Sequence, residues 1–187
     1  NTNLHFALDI DIYENIEDED LYLKHIICNV MKIASDNYNH KYEINDFYLT
    51  KTENQNDKFS VHIICRGLVF ENYKACKQFY DLIRNKTDIK GIDDSIYRLT
   101  CLRMTYCSKY GKNSILKPYS IKINNKSTGK CENKKDYFFK TLITNVDKNN
   151  KIIKYKKEKK NEEITINENS NNIKLETLLN KLPKEYC

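Results

Sequence analysis

The eight residues His5-Phe6-Ala7-Leu8-Asp9-Ile10-Asp11-Ile12 constrain this chain more than any other stretch. Apolar residues dominate the run, yet two carboxylates stand two positions apart. In a β-strand that spacing places both side chains on one face of the sheet. Neighbouring carboxylates repel, so the pair is costly unless a cation or hydrogen-bond donors offset it. Hard divalent ions such as Mg²⁺ bind carboxylate and phosphate oxygens together. An amphipathic edge strand with its polar face in water gives the same pattern.

A second element, Lys58-Phe59-Ser60-Val61-His62-Ile63-Ile64-Cys65, alternates as a half-buried strand does. Lys58, Ser60 and His62 share one face, while Phe59, Val61 and Ile63 point the other way. A face with an ammonium, a hydroxyl and an imidazole suits phosphate better than it suits a core. A histidine satisfied by ordinary polar neighbours near a strand end is the plainer alternative.

A third element, Ile92-Asp93-Asp94-Ser95-Ile96-Tyr97, adds a carboxylate, and Leu102-Arg103-Met104 leads on to a loop containing Ser108-Lys109-Tyr110-Gly111-Lys112. Arg103 can pair with a phosphate bidentately and Lys109 can add a point charge. Alone, this stretch reads equally as a turn followed by a solvated basic loop.

Around these elements the chain follows an α/β (α+β) order. Asp18 or Asn15 can cap a helix running to about Asp36, with Leu23, Ile27, Val30, Met31 and Ala34 inward. Phe47-Tyr48-Leu49-Thr50 reads as a strand, with residues 53–57 as the turn of a hairpin into the Ser-x-His strand. Tyr73, Cys76, Phe79, Tyr80 and Ile83 recur at helical spacing and face the core. Ile96 to Tyr106 and Tyr119 to Ile123 read as extended. The expected architecture is a mixed or antiparallel sheet with helices on one side and the acidic positions converging on the open face.

Taken in order, the three elements resemble the archaeo-eukaryotic primase superfamily, whose motifs are an Asp-x-Asp/Glu strand, a Ser-x-His strand and a later acidic residue. The likeness is to the primase-polymerase branch, and within it to the amino-terminal primase of primase-helicases from poxviruses and other large DNA viruses. It covers residues 4 to about 145. It implies an RRM-like catalytic core in which Asp9, Asp11 and Asp93 are metal ligands for Mg²⁺ or Mn²⁺. Ser60 and His62 match the nucleotide-binding pair, and Lys58, Arg103 and Lys109 match basic positions that hold the incoming triphosphate. Asp93 is favoured over Asp94 because the family motif runs Asp-x-x-x-Tyr and Tyr97 lies four positions beyond it. The implied partners are a single-stranded DNA template, nucleoside triphosphates and a helicase domain in the same polypeptide, and the viral likeness implies the host cytoplasm.

These residue types fit nucleotidyl transfer on chemical grounds as well. A 3′-hydroxyl attacks the α-phosphate in line, and three carboxylates are a sensible set to hold two divalent ions at that centre. Cationic donors then orient the β and γ phosphates. A metal-dependent nuclease would use a similar acidic cluster, and a noncatalytic nucleic-acid-binding module would keep the fold without the chemistry. Intact carboxylates at 9, 11 and 93 weigh against the last, since they repel phosphate.

With 187 residues and a net charge of +6, the chain has room for one sizeable domain and favours a polyanionic partner. Seven cysteines without a C-x-x-C pair fit free thiols in a reducing, intracellular compartment, and argue against a structural zinc site. No apolar stretch is long enough to span a bilayer. A first strand placed almost at the start, without Met, leads us to expect an excerpt of a longer polypeptide. Residues 1–146 form the expected catalytic core. Residues 147–172, rich in lysine and then asparagine, are expected to be a flexible linker or a basic arm. Ile173, Leu175, Leu178, Leu179 and Leu182 suggest a helix opening a following module.

Overall fold

The structure, a computed structural model, describes residues 2–39, 42–53, 58–97 and 102–155. The expected linker beyond residue 155 and the helix near 173–182 lie outside them.

The longest strand, β3 (Phe59–Phe70), is central: it pairs antiparallel with β1 (Leu4–Ile12) on one side and β2 (Phe47–Thr52) on the other. Antiparallel additions of β4 (Ile92–Asp93) to β1 and β5 (Leu116–Tyr119) to β2 complete the order β4-β1-β3-β2-β5. The side-chain alternation of these strands divides the sheet into two faces. Phe6, Leu8 and Ile10 of β1 join Val61 and Ile63 of β3 in the hydrophobic core, whereas Asp9, Asp11, Ser60 and His62 lie on the opposite face.

Two helices cover the apolar face. In α1 (Glu19–Tyr38), Asp18 caps the start by accepting from the Leu21 amide at 2.9 Å. Its buried stripe is Leu23, Ile26, Ile27, Val30, Ile33 and Ala34, and each large aliphatic there stabilises the fold by about 1.5–3 kcal/mol. Met31 is only half-buried at the edge of that stripe. In α2 (Tyr73–Lys86), Asn72 caps the Ala75 amide, and Ala75, Cys76, Phe79, Tyr80 and Ile83 are buried. Tyr73, expected inward, is exposed because it is the first residue of the helix, at the end of the packed face. Phe6 and Phe79 meet edge to face with ring centroids 4.8 Å apart, tying α2 to β1. The result is an α+β domain built on a largely antiparallel sheet with flanking helices.

Four local features differ from the sequence reading. First, β3 is buried on both faces rather than half-buried, because the segment after residue 102 covers its polar side. Second, residues 96–97 are not extended: Ser95–Tyr97 form a 3-10 turn. The turn buries the Tyr97 ring against Phe6 and Tyr80 while its hydroxyl donates to the Ala7 carbonyl. Third, the extended stretch after Tyr119 breaks into a small hairpin of β6 (Lys122–Ile123) and β7 (Lys126–Ser127). Asn124 and Asn125 at its tip both take positive φ, at 48° and 64°, which the hairpin turn requires and asparagine tolerates.

Fourth, the segment from Asp147 to Tyr155 is packed on the sheet. Arg66 donates to the Asn145 carbonyl at 2.8 Å and to Asp147 Oδ2 at 2.9 Å. Strand β8 (Ile152–Ile153) then adds parallel to the end of β3, opposite Val69 and Phe70. The described fold therefore continues beyond residue 146. A helix α3 (Lys134–Lys140) sits just before this strap, with the buried Tyr137 hydroxyl donating to the Leu49 carbonyl at 2.6 Å. Five free cysteines occur among the described residues, of which Cys65 and Cys76 are buried.

Candidate metal and nucleotide site

Strand register assembles the site. Asp93 of β4 is opposite Asp9 of β1, Asp9 is opposite His62 of β3, and His62 is opposite Thr50 of β2. One row across four strands thus reads Asp93, Asp9, His62, Thr50. Asp11 and Ser60 form the next row. Because all of these strands are antiparallel, side chains at paired positions share a face and lie close together.

Carboxylate oxygens from Asp9, Asp11 and Asp93 all lie within 4.8 Å of one another. They line a cavity of ≈190 Å³ together with Ser60, His62, Ser95, Leu102, Arg103 and Lys109. Of the eight candidate residues, seven meet in this one cavity. Lys58 is the exception. Its ammonium bonds Asp11 Oδ2 at 2.5 Å and stands 5.0 Å from the centre of the Tyr13 ring, so it braces Asp11 from an adjoining groove. That groove is larger, at ≈800 Å³, and open; its other lysines, Lys51 and Lys117, are paired with Glu19 and Glu53.

The electrostatics of the cluster are unfavourable as they stand. Burial pushes the Asp9 carboxyl from 3.8 up to about 7, and the charges of Asp11 and Asp93 push in the same direction, against the pull of Lys58 and Lys109. Asp9 Oδ1 and Asp11 Oδ1 are buried and accept no hydrogen bond. Two orphaned, hard oxygen donors beside a third carboxylate are a donor set suited to a divalent ion such as Mg²⁺ or Mn²⁺. Asp9, Asp11 and Asp93 are the residues that would hold it.

His62 Nε2 stands 3.5 Å from Asp9 Oδ1. Burial, with the Arg103 and Lys109 charges adding to it, lowers its pKa from 6.5 to about 4. The imidazole is therefore neutral at physiological pH and acts as a hydrogen-bonding group.

Two positioning residues, Ser95 and Gly91, were not singled out by the sequence. Ser95 donates its amide to Asp93 Oδ1 at 2.8 Å and its hydroxyl to Oδ2 at 2.9 Å, which fixes the third carboxylate. The Asp-x-Ser spacing of an Asx turn is the signal that points to it. Arg103 donates to the Ser114 carbonyl at 2.9 Å and to Thr52 Oγ1 at 2.8 Å, leaving Nε buried without a partner. Its guanidinium is thus partly committed to the protein, and a fork-on contact with phosphate is reduced to its remaining donors. The Gly91 carbonyl accepts from the Asp11 amide at 2.8 Å. Its φ of 67° and its tight fit against Ile12 and Asp11 demand glycine there.

No family model matches the chain and no curated protein matches it.

Proposed function

We propose that the chain is the catalytic core of a template-dependent nucleotidyltransferase, a DNA primase or primase-polymerase using Mg²⁺ or Mn²⁺. The reading includes the finer fold assignment, an RRM-like core of the archaeo-eukaryotic primase type. The observation that carries it is the convergence of three carboxylates with His62, Ser60, Arg103 and Lys109 around one cavity. Carboxylates and cations lining one cavity supply ligands for divalent ions and positive charge for a nucleoside triphosphate.

In this reading Asp9, Asp11 and Asp93 hold the ions, with Lys58 and Ser95 fixing the orientation of Asp11 and Asp93. When bound, divalent ions activate the attacking oxygen and neutralise charge on the leaving one. Ser60 and the neutral His62 offer hydrogen-bond donors to the triphosphate without adding a full charge beside Asp9. Lys109 and the free Nε–H of Arg103 supply the positive potential at the phosphate end. Most of the acceleration is positioning and electrostatics, and no side chain has to act as a nucleophile.

The test is incubation with a single-stranded DNA template, labelled nucleoside triphosphates and Mg²⁺ or Mn²⁺, with and without primer, beside an Asp9→Ala/Asp11→Ala variant. Labelled product that needs the carboxylates supports the proposal, and product without primer identifies a primase. A shortened template without incorporation would instead identify a metal-dependent nuclease.

A further inference from the structure

The stretch between Asp94 and Glu132 contains eight lysines and arginines and no carboxylate. That local charge exceeds the +6 of the whole chain. Lys117 and Lys126 are paired with Glu53 and Glu43, so the charge available to a polyanion lies with the unpaired lysines of the stretch.

At the centre of this stretch is a short hairpin. The Tyr106 amide donates to the Leu116 carbonyl at 2.8 Å, the Leu116 amide to the Cys107 carbonyl at 3.2 Å, and Ser108 bridges Ile115. Its tip is a turn closed by the Lys112 amide on the Lys109 carbonyl at 3.1 Å, with Gly111 at φ 70°. Arg103 roots the arm beside the cavity through the Ser114 carbonyl. Lys109, at the base of the turn, lines the cavity.

Tyr110 is at the tip, between Lys109 and Lys112, and is fully exposed. It contributes no packing to the fold. Met104 and Ile115 are also exposed. Lys109 and Lys112 have no ion-pair partner among the described residues, whereas the lysines of the neighbouring groove are paired with carboxylates. Free cations interleaved with an uncovered ring are the two elements of a single-strand binding surface, one tracking phosphates and the other stacking on a base. In a duplex both faces of an interior base are already occupied.

We propose that the hairpin of residues 107–115 is a contact surface for single-stranded nucleic acid, with Tyr110 stacking on a base and Lys112 meeting the backbone. The proposal deepens the nucleotidyltransferase reading and rests on it for the strand's role as template or primer. Binding itself is measured without metal or nucleotide, so the two can fail separately.

The experiment is fluorescence anisotropy with labelled oligo-dT and, in a parallel arm, oligo-U. Tyr110→Ala should weaken binding about tenfold or more, and Tyr110→Phe should stay within about twofold of wild type. An oligonucleotide with abasic sites should bind wild type and Tyr110→Ala alike. Lys112→Ala should lower the slope of log affinity against log salt by about 0.7. No binding by wild type, or equal binding of the intact oligonucleotide by wild type and Tyr110→Ala, would overturn the proposal. Weakened binding by Tyr110→Ala sustains it even if wild type incorporates no nucleotide, which would remove the catalytic reading alone.

Discussion

Replacing Asp9 by asparagine should stabilise the metal-free protein. The Asp9 carboxyl is raised from 3.8 to about 7 by burial and by Asp11 and Asp93. At about 1.4 kcal/mol per pKa unit, that rise corresponds to about 4 kcal/mol of ionisation cost in the folded state above pH 7. Between pH 4 and 7 the folded protein holds a proton that the unfolded chain has lost, so stability falls as pH rises through this window and levels off above it. The Asp9→Asn variant has no such dependence, and its new amide can donate to Asp11 or Asp93. An imperfectly placed amide costs about 1–3 kcal/mol at any pH, leaving a net gain of about 1–3 kcal/mol at pH 8 that becomes a loss of similar size near pH 4. His5 and His62, both lowered to about 4 by burial, oppose this trend; His5 drops out of the difference, whereas His62, 3.5 Å from Asp9 Oδ1, is coupled to it. Urea unfolding in EDTA from pH 4 to 8 reads the effect. Divalent ion should reverse it, stabilising wild type by about 2.7 kcal/mol at a hundredfold excess over its dissociation constant and leaving the variant nearly unchanged. A variant less stable than wild type at pH 8 in EDTA, or a difference that ignores pH, would refute the reasoning.

Other substitutions separate ligands from supports. Asp93→Ala should lower Mn²⁺ affinity, read by electron paramagnetic resonance of the free ion, by at least about tenfold, with Ser95→Ala about tenfold through loss of its hydroxyl bond to Asp93. Asp94→Ala, outside the cavity lining, should change it little. Gly91→Ala would place a Cβ 2.3 Å from Ile12 Cγ1 and 2.8 Å from the Asp11 carbonyl at positive φ; thermal unfolding should show a loss of about 2–5 kcal/mol, with weaker Mn²⁺ binding as Asp11 shifts. Arg103→Ala removes charge-assisted bonds to Ser114 and Thr52 and should cost about 2–4 kcal/mol in denaturant unfolding. Arg103→Lys should not restore it, since one ammonium cannot reproduce the guanidinium fork.

What the sequence made legible follows the period-two rule. The facing of Asp9, Asp11, Ser60 and His62 is written in strand alternation, and α1 and α2 are written in helical spacing, with Asp18 readable as the cap of α1. The meeting of Asp93 with Asp9 is not written locally, because a two-residue strand such as β4 has no period to read. The bond from Arg103 to Thr52 depends on a contact remote in sequence. The packing of residues 147–153 was hidden for the same reason. A lysine- and asparagine-rich segment reads as a linker until Arg66, 81 positions earlier, supplies the partner for Asp147. The 3-10 turn at Ser95–Tyr97 is set by the need to bury Tyr97, which overrides the extended tendency of its neighbours.

The central claim, that this cavity joins nucleotides on a template, is tested most directly by offering homopolymer templates with each nucleoside triphosphate singly and Mn²⁺ present. The account predicts incorporation of the complementary nucleotide alone, one pyrophosphate released per addition, and loss of both signals in Asp9→Ala/Asp11→Ala. Incorporation that ignores the template, or that persists without the two carboxylates, would contradict it.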